Sequence, residues 1–204
     1  MIARSLLLAA FVLLSGLIAD RPKSLAATND PTSFVSDLAS RALAPMPNEA
    51  TVGARQERFR QLFRQYFDVE ACARTALGPY WLKATALQRQ EFVALYEDYV
   101  VIAYSTALRS LGGESFKVLG SQPDKKSVIV TSRIEINDAA PIRLDWHLNP
   151  TNYGYKVTDV IVNGISMASA QHSDLVSVIQ RNNGHLTALL VAMREKNASN
   201  GILR

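Results

Sequence analysis

Val157–Asn183, VTDVIVNGISMASAQHSDLVSVIQRNN, is the stretch that decides the fold. Its apolar opening reads as a strand, Asn163-Gly164 as a turn, and the remainder as an amphipathic helix. Within it, Gly164-Ile165-Ser166-Met167-Ala168 comes close to a G-x-S-x-G nucleophile elbow, with Ala168 where the second glycine should stand. A hydrolase would surround that elbow with alternating parallel βα units and follow it with an acid and then a histidine. Only His172 and His185 follow, both on amphipathic helical segments. Ser166 therefore reads as a turn or helix-capping hydroxyl.

Upstream of that strand the pattern has period two. Val128, Val130, Ser132, Ile134 and Ile136 alternate with Ile129, Thr131, Arg133 and Glu135, and Ile142, Leu144, Trp146 and Leu148 alternate with Arg143, Asp145 and His147. Such runs make strands with one buried and one wet face. Phe116, Val118 and Leu119 precede a turn at Pro123-Asp124, and Asn149-Pro150 and Asn152–Gly154 mark turns before a strand over 155–162. The expectation is an antiparallel meander, curved over helices: an α+β fold with no internal repeat.

The first half is helical. Pro31–Leu43 is bounded by Pro45 and Pro47. Gly53–Tyr66 places Phe59, Leu62, Phe63 and Tyr66 on one stripe. Asp68 caps Val69–Leu77, which Gly78-Pro79 ends. Thr85 and Gln88 have capping-box spacing before a long segment in which Phe92, Leu95, Tyr96, Tyr99, Ala103, Ala107 and Leu111 share a side, closed by Gly112-Gly113. At 1.5 Å per residue this helix spans roughly 40 Å.

Met1–Ala27 has the parts of a secretory signal: Arg4, an apolar run from Leu6 to Leu14, and small residues at Ser24, Ala26 and Ala27. The run is shorter than the roughly 20 residues of a spanning helix. Removing residues 1–27, with Arg4, Asp20, Arg21 and Lys23, lowers the formal net charge from +4 to +2. Residues 28–196 then form one domain, and 197–204 a frayed tail. Arg55, Arg58, Arg60 and Arg64 are interrupted by Glu57 and aromatic residues, the pattern of a solvated helix face and not of a nucleic-acid track. Cys72, the single cysteine, sits among Ala71, Ala73 and Ala76 as a small buried side chain with no local base to activate it.

Other chemistry is hard to place. His147, His172 and His185 lack metal-ligand spacing, and no P-loop or dinucleotide fingerprint occurs. Glu97 and Asp98 are neighbours on a helix, so they diverge into solvent. What stands out instead is an inward set of Tyr80, Trp81, Phe92, Tyr96, Tyr99, Val130, Ile134, Leu144 and Trp146. On pattern alone this is the packing of an ordinary core; a curved sheet over helices also has room for a cavity. A competing reading is a cone-shaped pocket enzyme of the ketosteroid-isomerase type. It needs a buried acid near a tyrosine, Asp145 or Asp159 with Tyr96 or Tyr99.

Several segments together resemble the MlaC/toluene-tolerance family. They are Arg64–Glu70 (RQYFDVE), Leu77–Trp81 (LGPYW), Ala84-Thr85, Gln88–Phe92 (QRQEF), Tyr104 and Leu108, Tyr155–Ser166 (YKVTDVIVNGIS) and Gln180–Gly184 (QRNNG). The likeness runs from about Pro31 to Arg194, and the QRNNG ending is similar to the hopanoid-associated HpnM branch. It implies a periplasmic lipid carrier, not an enzyme, working without cofactor or metal. Such a carrier exchanges phospholipid between an outer-membrane lipoprotein complex and an inner-membrane ABC transporter, in support of outer-membrane lipid asymmetry. It also implies that the inward set, with Ile161, lines an apolar lipid cavity; a hopanoid is the second cargo.

Overall fold

The computed structural model describes residues 30–45, 51–110, 114–137 and 139–200, with the side chains of 107–110 excepted. The signal segment 1–27, Leu111 and the Gly112-Gly113 stop lie outside the described residues. Each helix start is written locally. Asp30 accepts from the amides of Thr32 and Ser33 to open α1 (Pro31–Leu43), Thr51 opens α2 (Val52–Tyr66), and Asp68 opens α3 (Val69–Leu77) by accepting from Ala71 N. After the short α4 (Tyr80–Lys83), Thr85 and Gln88 exchange two hydrogen bonds, 3.0 and 3.2 Å, at the start of α5 (Ala86–Ser110). This is the reciprocal box expected from their spacing.

Five strands follow in chain order across one antiparallel sheet: β1 (Ser115–Asp124), β2 (Ser127–Glu135), β3 (Ile142–Thr151), β4 (Gly154–Val162) and the two-residue β5 (Ile165–Ser166). The turn expected at Asn149-Pro150 falls later, because Pro150 still pairs with Tyr155 and the chain reverses at 152–153. α6 (Met167–Arg181) starts from Ser166, whose hydroxyl accepts from Ser169 N at 3.0 Å, so this serine is a helix cap. α7 (Leu186–Ser199) closes the fold. The frayed tail expected from Asn197 does not begin there: Asn197 is only 3% exposed and its amide donates to Leu95 O, tying α7 to α5.

Apolar residues gather in two clusters. Leu77, Phe92, Ile179 and Leu189 belong to the first, built by α3, α5, α6 and α7. Val35, Tyr66, Val130, Leu148 and Val157 belong to the second, where α1 and the end of α2 cover the sheet. Phe67 packs against both, held by a bridge to Val157 and by the Asp68 N–H donating to Val157 O at 2.9 Å.

Two features depart from the sequence reading. Glu97 and Asp98 are buried, not solvated. Arg60 Nη1 lies 2.6 Å from a carboxylate oxygen of each, and Arg64 Nη2 lies 2.8 Å from Glu97. Burial acts to raise the Glu97 carboxyl, but the two guanidinium groups outweigh it and hold Glu97 below the usual carboxylate range. Arg60 and Arg64 are therefore half of an ion-pair cluster that fastens α2 to α5, while Arg58 donates to Arg41 O of α1. The second departure is a β-bulge between β3 and β4, where His147 pairs with Asp159 but Leu148 pairs with Val157. The bulge admits an extra residue and reverses the alternation along β4.

Candidate functional site

A cavity of about 390 Å³ lies between the sheet and helices α1, α2, α3, α5 and α6. α1 contributes Leu38, Ala39 and Ala42, α2 contributes Phe59, Leu62 and Phe63, and the sheet contributes residues of β1 to β4. The inward face of β2 and β3 is apolar apart from Ser132. That hydroxyl is fully buried and accepts from Trp146 Nε1 at 2.8 Å, so the indole N–H is satisfied within the sheet face itself.

Four of the expected lining residues, Tyr96, Ile134, Leu144 and Trp146, meet at this cavity. Six do not. Trp81 and Phe92 are buried in the helical cluster, with Tyr80 and Tyr99 packed against it. Trp81 also lies beneath the guanidinium groups of Arg74 and Arg89. Val130 is buried in the second cluster under α1. Ile161 points away because the bulge flips β4: counted by twos from Val157 it would face inward, yet Val160 and Val162 take that place. The whole α1 wall went unrecognised in the sequence, since its stripe has only the ordinary amphipathic period.

The acids of the enzyme reading are engaged elsewhere. Asp145 is off the cavity, bound to Arg143 and to Thr131 Oγ1, and the Arg143 guanidinium holds its carboxyl below the usual range. Asp159 reaches the lining, but it staples the turn into α6. Its oxygens accept from Ser166 Oγ at 2.6 Å, Ala168 N at 3.0 Å and Val160 N at 2.8 Å.

Cys72 also lines the cavity, its thiol facing Thr158 O at 3.4 Å. Burial, followed by the charges of Asp68 and Asp159, pushes the thiol up to about 12 from an ordinary 9.0. The native protein thus keeps a proton that the unfolded chain releases first, so this contribution is complete below pH 9 and is lost as pH rises towards 12. Denaturant titrations between those limits will show falling stability, with a shallower fall in Cys72→Ala. The burial-raised phenols of Tyr66 and Tyr96 retain the remainder of the slope. An equal slope in Cys72→Ala would show the thiol is not the group responsible.

These features define a class: an α+β protein in which helices and a curved antiparallel sheet enclose an apolar cavity. The family model described as MlaC protein matches residues 36–195, and the chain belongs to the MlaC family. Among solved structures, the chain is similar to the phospholipid-binding protein from Ralstonia solanacearum, determined in complex with a phospholipid. The TM-score is 0.75 at 20% identity, over 85% of this chain and 99% of that one. At that identity the likeness is one of fold.

Proposed function

We propose that this protein is a periplasmic lipid carrier, which takes phospholipid acyl chains into its cavity and passes the lipid between the outer membrane and an inner-membrane ABC transporter. The observation that carries this reading is the composition of the cavity. Aliphatic and aromatic side chains form nearly all of it, and among the described residues its one carboxylate, Asp159, is committed to the α6 turn. Each methylene buried there contributes about 0.8 kcal/mol, so a single long chain outweighs several kcal/mol of ordering on binding. Family membership and the phospholipid held by the Ralstonia protein support the cargo. The signal-like segment supports the compartment. The mechanism is one of solvation: chains leave one apolar phase, travel inside another, and no covalent step is needed.

Solvent extraction of the purified protein, followed by mass spectrometry, tests the cargo. Near-stoichiometric diacyl phospholipid is expected. A lipid-free extract from protein that also fails to take up phospholipid from vesicles would sink the carrier reading, and a hopanoid in place of phospholipid would move the cargo to the fused-ring class.

A further inference from the structure

Polar groups occur on one stretch of the cavity wall, beside the first turn of α6. Tyr96 Oη donates to Gln171 Oε1 at 2.5 Å, and Gln171 Nε2 donates to Tyr104 Oη at 3.2 Å. Gln171 is 6% exposed, so this amide is a fixed internal strut. Among the described residues the chain of donors ends at Tyr104, whose own O–H points at the thioether of Met167, with Sδ 3.9 Å away. A thioether is a weak acceptor, so this proton remains available to any better one in the cavity. Asp159 lies on the same stretch, fastened to Ala168 N, the residue after Met167. Its carboxylate disfavours a second negative charge in an apolar, low-dielectric space.

We propose that Tyr104 and Asp159 form a selective subsite in which the Tyr104 hydroxyl donates to a neutral oxygen of the cargo, while Asp159 turns away a free carboxylate. The cavity would then prefer esterified acyl chains, or a lipid alcohol, over free fatty acids. This rests on the lipid-carrier reading and adds a selection rule to it.

Competition against radiolabelled phospholipid, with methyl palmitate, hexadecanol, palmitate and hexadecane delivered from cyclodextrin, reads the subsite directly. In the native protein the ester or the alcohol should bind at least about tenfold more tightly than palmitate. Tyr104→Phe should weaken the ester or the alcohol about tenfold, the size of one neutral hydrogen bond, and leave hexadecane unchanged. Whichever of the two loses more identifies the source of the oxygen. Asp159→Asn, which can still accept from Ala168 N, should narrow the gap to palmitate severalfold. Equal binding of palmitate and ester by the native protein would overturn the subsite, as would Tyr104→Phe shifting all four ligands alike or none. Phospholipid bound normally alongside either result would leave the carrier reading standing; failure of the native protein to bind phospholipid and hexadecane would remove both.

Discussion

Ala39→Trp should fold normally and lose at least about nine-tenths of its bound lipid. Ala39 is 4% exposed on α1 and lines the cavity, so a larger side chain there grows into open volume. Inserting bulk into a well-packed core costs about 1–3 kcal/mol because neighbours must move. Beside a cavity of about 390 Å³ most of that penalty disappears, and an indole occupies space an acyl chain would need. The two outcomes separate cleanly. Thermal unfolding reports the fold, and lipid extraction with vesicle uptake reports the cavity. A stable Ala39→Trp protein that loads phospholipid as the parent does would show that the cargo sits elsewhere.

The second large effect lies at Gly78, the C-cap of α3. Its φ of +57° and ψ of −134° are open to glycine and strained for other residues. A Cβ there would stand 2.4 Å from Cε1 of His172, whose Nδ1 lies 3.0 Å from Ala76 O. Strain of about 1–3 kcal/mol adds to an overpacking cost of similar size, so Gly78→Ala should lose about 3 kcal/mol, or about 10 °C in Tm. Adding His172→Ala to Gly78→Ala should recover the steric part and leave the backbone part. Wild-type stability in Gly78→Ala alone would refute the account. Gly78-Pro79 reads in the sequence as a helix stop; its role in seating α6 against α3 becomes apparent only in three dimensions.

That pattern holds more widely. Features governed by neighbours within four residues, such as the Asp68, Thr85/Gln88 and Ser166 caps and the period-two strands, were legible because cause and effect share one segment. Features set by a distant partner were not. Nothing around Glu97-Asp98 announces Arg60 and Arg64, more than thirty residues earlier. The bulge that turns Ile161 outward depends on how β4 registers with β3. Trp81 and Phe92 are as apolar as Trp146, and period alone does not say whether an inward residue meets a neighbour or a void. The segments resembling MlaC proteins carried the family and the α+β fold; they did not carry the α1 wall of the cavity.

The two fastenings of α2 differ in kind. Arg60 and Arg64 grip Glu97 and Asp98 through directional, charge-assisted hydrogen bonds, which fix position along α5. On the neighbouring face Phe59, Leu62 and Phe63 meet the cavity through non-directional contact. Lys156 of β4 holds the last turn of α2 as well, its Nζ donating to Arg64 O and Gln65 O at 3.0 and 2.7 Å. The polar groups that hold this wall in place are therefore not the groups that line it, so the lining can be substituted without loosening the wall.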